Sequence, residues 1–195
     1  KSMKGYPPGS LIADRYEVDQ APDIRNGKLA GRMGLVYICH DTEMDRVVAL
    51  KTFRPELLHD RPAREHFLSE GRIWVNLGHH PHIVRCYDVK YLDPAAFLVM
   101  ERIVEEPGRK DASLRAWMGK PLPMGQALLF ALQIARGMQH AVRKIPGFVH
   151  CDLTPGNVLV GADKLTGTNI NRLRVTDFGL IKIVPDASMG RADSY

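Results

Sequence analysis

His150-Cys151-Asp152-Leu153-Thr154-Pro155-Gly156-Asn157 and, beginning twenty residues after that asparagine, Asp177-Phe178-Gly179 decide how this chain reads. They set two carboxylates and an amide at a spacing that suits phosphoryl transfer. A hydroxyl nucleophile needs a carboxylate to orient it and take its proton, and Mg²⁺ on a nucleotide needs oxygen ligands. Asp152 suits the first task, and Asn157 and Asp177 suit the second.

Upstream, Arg15 to Asp19, Leu35 to His40 and Arg46 to Phe53 read as strands. In the last of these Val47, Ala49, Lys51 and Phe53 share a face, so Lys51 points where apolar neighbours point. Asp60 can cap a helix with Pro62 in its first turn, and along it Phe67, Glu70, Trp74 and Leu77 form one stripe. Opposite charges on two apolar faces call for each other, because leaving either buried alone costs roughly 3 to 5 kcal/mol. Ile83 to Tyr91 and Ala95 to Glu101 read as the next strands, joined by a turn at Leu92-Asp93-Pro94. After a connector from Ile103 to Arg109, the pattern becomes helical over Ala112 to Met118 and Met124 to Lys144. Short strands at Val158 to Val160 and Leu173 to Thr176 flank a polar segment, Gly161 to Arg172, that reads as a hairpin loop. The expectation is an α+β chain with a strand-rich part over residues 1–102 and a helix-led part over 103–195.

In this order the motifs resemble those of protein kinases, whose signature includes H-R-D-L-x-x-x-N and D-F-G. The resemblance covers about residues 11–190. It implies a two-lobed fold with an antiparallel-sheet N-lobe and a partial helical C-lobe, ATP and Mg²⁺ as cofactors, and Ser/Thr hydroxyls of a protein as acceptor. Lys51, in Val48-Ala49-Leu50-Lys51, then corresponds to the lysine that holds the α- and β-phosphates, and Glu70 to its helix partner. Asp152 corresponds to the catalytic base, and Asn157 and Asp177 to the metal ligands. Leu77-Gly78-His79-His80-Pro81-His82-Ile83-Val84 is similar to the family's L-x-H-P-x-I-V segment, so its histidines read as part of a turn and not as zinc ligands. Gly31-Arg32-Met33-Gly34-Leu35-Val36 supplies the last two glycines and the valine of the glycine-rich loop. Leu29 stands where the first glycine belongs, and the stretch Ala21 to Lys28 is longer than the usual turn. Phe97 to Ile103 resembles the strand-to-hinge segment. That places Met100 at the back of an adenine pocket, the backbone of Glu101 to Ile103 along the base edge, and Val36, Ala49 and Leu159 on its faces.

Two positions depart from the pattern. Cys151 replaces the arginine that in many kinases pairs with an activation-segment phosphate, so activity is expected not to depend on phosphorylation there. Thr154 replaces the lysine that helps neutralise the transferring phosphate, so either turnover is lower or another cation serves. Pro155 favours the Ser/Thr-type loop over the tyrosine-kinase type. The same stretch is also similar to the H-G-D-L-x-P-G-N-V-L-V loop of aminoglycoside- and choline-type kinases, and a nucleotide-binding pseudokinase is the other competing reading. Motif count favours the protein kinase.

The chain stops at Tyr195, sixteen residues beyond Gly179 and before any A-P-E segment. The resemblance implies further helices that would cover the apolar face of Met124 to Lys144. Without them this stretch is expected to expose core surface and to be weakly stable and weakly active alone.

Composition is that of an ordinary globular chain, with 45% hydrophobic residues and a net charge of +5. So mild an excess gives no reason to invoke nucleic acid. Cys39, Cys86 and Cys151 are scattered without C-x-x-C spacing, which argues against a disulfide framework or zinc site and for a reducing, cytoplasmic setting. The longest nearly apolar run, Ala127 to Ala135, falls far short of the ~20 residues that cross a membrane.

Overall fold

The computed structural model describes residues 5–21, 34–53, 61–92, 95–162, 171–178 and 182–183. Leu29, Gly31, the Asp60 cap, the Asp93-Pro94 turn and Gly179 lie outside them. The chain divides into two compact units, Lys1–Val75 with Arg85–Arg102, and Asn76–Val84 with Ile103–Tyr195.

In the first unit, β1 (Leu11–Ile12), β2 (Tyr16–Gln20), β3 (Gly34–Asp41) and β4 (Arg46–Phe53) precede α1 (Arg61–Leu77), and β5 (Cys86–Leu92) and β6 (Ala95–Glu101) follow it. The strands form one antiparallel sheet in the order β1-β2-β3-β4-β6-β5. Phe67, Glu70, Trp74 and Leu77 are all buried on one stripe of α1, as the helical period predicts. The register slips by one residue between Val18 and Gln20 and between Cys86 and Asp88, both on strands away from the central pair. At the β3–β4 turn the fully buried Asp41 accepts Arg15 Nε at 2.6 Å and Nη2 at 2.8 Å. Those bonds from Arg15 hold its carboxyl below the usual carboxylate range.

Two expectations for this sheet change. Val47 is about half exposed, whereas Val48 and Leu50 on the opposite face are fully buried and Ala49 is 6% exposed. Val47 sits near the β3–β4 turn, and β4 runs between two neighbours, so the face of Ala49 and Lys51 closes only along its middle. Ile83 and Val84 do not open β5. They turn to the second unit instead, where Val84 N–H donates to Val175 O and Val175 N–H to His82 O, each at 2.9 Å.

The second unit carries α2 (Met124–Lys144), β7 (Phe148–Val149), β8 (Val158–Ala162), β9 (Asn171–Val175) and β10 (Lys182–Ile183). β8 pairs with β9 as an antiparallel hairpin, and β7 pairs with β10. Trp117, Phe130, Val158, Val160 and Leu173 form its core. The expected helix over Ala112 to Met118 shrinks to a single 3-10 turn, Leu114–Trp117. Ala112 O accepts Val160 N–H at 2.7 Å and Ser113 bridges to Leu159, while Asp111 Oδ1 takes the Ser113 N–H at 2.8 Å. Those bonds hold the start of the segment in extended form, and only the remainder can wind. α2 buries Phe130, Gln133, Gly137 and Ala141, whereas Met124, Leu128, Leu132 and Val142 are exposed.

Candidate functional site

In the first unit the β3–β4 register sets Val36 opposite Lys51, and the β4–β6 register sets Ala49 opposite Met100 and Lys51 opposite Leu98. Lys51 is half-buried. A Cβ at Gly34 would lie 2.9 Å from the Thr52 carbonyl oxygen and 3.3 Å from Lys51 Cε, so glycine leaves the room through which the lysine stem runs. Glu70 Oε1 lies 2.7 Å from His66 Nδ1 one turn earlier on α1. The helix meets the sheet at the next residue, where a Cβ on Gly71 would overlap Leu98 Cδ2 and approach Val89 Cγ2 to 2.8 Å. Leu98 is the cross-strand neighbour of Lys51, so Glu70 and Lys51 flank the same stretch of β6. Met100 is buried, and Glu101 N–H donates to Arg85 O at 2.9 Å. Glu101 therefore does not offer its N–H to a base edge.

In the second unit Asp152, Asn157 and Asp177 are all partly buried. Asn157 Nδ2 donates to Asp152 O at 2.9 Å and to Asp152 Oδ2 at 2.8 Å. Its backbone closes the 3-10 turn Pro155–Asn157 by donating to Thr154 O at 2.9 Å, and its carbonyl accepts Thr176 N–H, also at 2.9 Å. His150 ties the same two loops from beneath. Its Nε2 donates to Thr176 O at 3.1 Å, which leaves Nδ1 to accept the Asp152 N–H at 3.3 Å. The ring is 3% exposed and stacks obliquely on Phe178 at 4.9 Å, and burial lowers its pKa, so the neutral tautomer is the one these bonds require. Cys151 and Asp177 hold φ of +61° and +60°. Non-glycine residues in this region are strained, and here the hydrogen bonds of His150 and Asn157 brace both loops. Ile103 and Leu159 belong to this unit, and Ile103 Cγ2 would lie 2.7 Å from a Cβ on Gly161.

The protein kinase domain model matches residues 28–193. The chain belongs to the protein kinase family. A probable serine/threonine-protein kinase of Streptomyces coelicolor is 30% identical over 186 residues, which is 91% of this chain and 24% of that protein. A serine/threonine-protein kinase of Corynebacterium efficiens is 33% identical over 166 residues, 83% of this chain and 29% of that protein. The kinase chain thus spans about a quarter of the length of these curated relatives. Its fold is similar to crystal structures of the PknI kinase domain of Mycobacterium tuberculosis. One has a TM-score of 0.67 at 24% identity, covering 89% of this chain and 63% of that one. Another has a TM-score of 0.65 at 25% identity, covering 97% and 68%. The curled antiparallel sheet with α1, followed by the α2-led unit, is the kinase fold.

Among the described residues of this kinase chain, no group of three or more His, Cys, Asp or Glu side chains could hold a metal ion. Asn157 and Asp177 nevertheless fit a cation that arrives with phosphate oxygens, since Mg²⁺ takes one or two protein oxygens and keeps the rest for phosphate and water. Asn157 commits both amide hydrogens to Asp152, and its Oδ1 is the group that remains for such an ion.

One residue beside the Asp152–Asn157 loop is absent from the sequence reading. The guanidinium of Arg115 has its Nη2 3.1 Å from where a Cβ on Gly156 would stand, and Thr154 Oγ1 is 3.7 Å from that same point. Arg115 is exposed. It lies thirty-seven residues before Asp152, and nothing in Ser113-Leu114-Arg115-Ala116-Trp117 marks it. The sole signal was indirect, namely the missing lysine at Thr154.

Proposed function

We propose that this chain is the ATP-binding and catalytic part of a serine/threonine-protein kinase that transfers the γ-phosphate of ATP to protein hydroxyls in the cytoplasm. The observation that carries the reading is Asn157 donating to both the backbone and the carboxylate of Asp152. A base held in this way needs no reorganisation when a hydroxyl arrives, and positioning supplies most of the rate in phosphoryl transfer. Lys51, placed by Glu70, holds the phosphates. Gly34, with Gly31 outside the described residues, lets the backbone approach them. Val36, Ala49, Met100 and Leu159 pack the base, and Glu101 through its carbonyl oxygen and Ile103 through its backbone groups meet its edge. Asn157 and Asp177 ligate the ion, and Asp152 orients the acceptor hydroxyl and takes its proton. Mg²⁺ supplies charge neutralisation of the phosphate oxygens when bound. Arg115 and the Thr154 hydroxyl together stand in for the lysine the loop lacks.

No helix among the described residues is long and apolar enough to cross a membrane. The reading is tested by incubating the full-length protein with labelled ATP and Mg²⁺, offering protein, aminoglycoside and choline acceptors, beside an Asp152→Ala control. Label entering protein and lost in the control supports it. Label entering the small molecules makes this a small-molecule phosphotransferase, and nucleotide binding without transfer makes it a pseudokinase.

A further inference from the structure

Away from the catalytic loop, the second unit contains a cavity of about 420 Å³ between the His80-Pro81-His82 turn and the C-terminal half of α2. Arg136, Gln139, His140 and Arg143 line it from the helix, at i, i+3, i+4 and i+7, which places them on one face. No carboxylate lines it among the described residues. Neither arginine belongs to the set that binds nucleotide or orients the acceptor.

The hydrogen bonds fix what each imidazole presents. His82, 9% exposed, donates from Nδ1 to Leu173 O at 3.1 Å. Its backbone N–H donates to His80 Nδ1 at 3.2 Å, so the proton of neutral His80 is on Nε2. His140 donates from Nε2 to Leu77 O at 2.8 Å and stacks on His80 with ring centroids 4.6 Å apart. Burial chiefly, and for His82 also the nearby charges of Arg172, Arg136 and Arg174, lowers the pKa of both rings and favours their neutral forms. The site therefore combines two guanidiniums, an amide and one imidazole N–H, with no carboxylate among the described residues that line it.

We propose that this cavity binds the phosphate group of a phosphate monoester, with Arg136 and Arg143 neutralising the dianion and His80 Nε2–H and Gln139 completing its hydrogen bonds. A carboxylate matches one guanidinium fork, whereas a tetrahedral dianion offers enough oxygens and charge for two. The volume exceeds that of a bare phosphate and falls in the range of ligand pockets, which leaves room for the esterified part.

Titration calorimetry on the full-length protein at constant ionic strength, with inorganic phosphate, glycerol phosphate and a phosphoserine peptide, tests this. The double variant Arg136→Ala/Arg143→Ala is expected to bind each probe weaker by about 100-fold or more, as loss of two charge-assisted hydrogen bonds implies. The His80 Nε2–H signal in ¹⁵N-labelled protein should move with phosphate and not with chloride. The peptide binding tighter than glycerol phosphate identifies a phosphorylated polypeptide as the source, and the reverse order a small ester. Unchanged phosphate affinity in the double variant, or no binding of any probe to the unaltered protein, overturns the proposal. The single variants Arg136→Gln and Arg143→Gln, each at an exposed position, provide the same comparison should the double variant not fold.

Discussion

Asn157 binds Asp152 twice through one amide, at 2.9 Å to its carbonyl oxygen and 2.8 Å to its carboxylate, while accepting the Thr176 N–H that precedes Asp177. With the roles proposed for Asp152 and Asn157, Asn157→Ala should lower phosphotransfer by roughly 100-fold or more, because it would free the base and remove an ion ligand together. Asn157→Asp keeps an oxygen for the ion but sets a second carboxylate against Asp152, and should also be slow. Steady-state rates at rising Mg²⁺ distinguish them, since added metal should rescue the aspartate variant more than the alanine one.

Arg115 next to Gly156 and Thr154 gives the loop a cation from outside its own sequence. Arg115→Ala should reduce kcat/KM by about 10-fold, in line with loss of one charge-assisted contact, with nucleotide affinity unchanged. Thr154→Lys in that background should restore much of the rate. An equal loss of nucleotide binding would instead assign Arg115 a structural role.

Cys151 is exposed and holds φ of +61° where many kinases carry an arginine. Stoichiometric phosphorylation of the segment after Gly179 should therefore change the rate less than about 3-fold, because its phosphate lacks that cation. A large activation in a radiolabel assay of the phosphorylated protein would contradict the role assigned to this position.

Gly137 and Gly125 both lie on α2 and should respond to alanine in opposite directions. A Cβ at Gly137 would stand 2.6 Å from the His82 carbonyl oxygen, which is held by Val175 N–H, whereas nothing lies within 4 Å of one at Gly125. Gly125→Ala should gain up to about 1 kcal/mol from helix propensity. Gly137→Ala should lose about 1 to 3 kcal/mol, because the overlap is with backbone that cannot swing away. Urea unfolding midpoints give both values.

Burial holds His80 down to about 4 and also lowers His82 and His150 from the ordinary value of 6.5. The unfolded chain then binds more protons than the folded one between those limits. Stability should be at its full value above pH 6.5 and should fall as pH drops toward about 4. His80→Gln should flatten that slope, which denaturant titrations in phosphate-free buffers at several pH values can measure.

The stripe of Phe67, Glu70, Trp74 and Leu77 was legible because helical periodicity is local, and all four are buried where it places them. The bounds of β4, β6 and α2 were legible for the same reason. Ala112 to Met118 was misread because its backbone is held by β8, more than forty residues away, and no local pattern announces that pairing. Ile83 and Val84 likewise looked like the start of a strand, but Val175 takes the Val84 N–H and the His82 carbonyl, and the Ile83 N–H turns back to His80 O.

By itself, the sequence determined the family, because the motifs that hold Asp152, Asn157 and Asp177 follow one another in the order that protein kinases carry them. Tertiary structure alone decided which distant groups meet. It brought Arg115 to Gly156, placed His150 between Asp152 and Thr176 and, away from these, set Arg136 and Arg143 on the cavity that His80 also lines. Charges and hydrogen bonds operate over a few ångströms in space, and residues far apart in the chain meet there only after the backbone has folded.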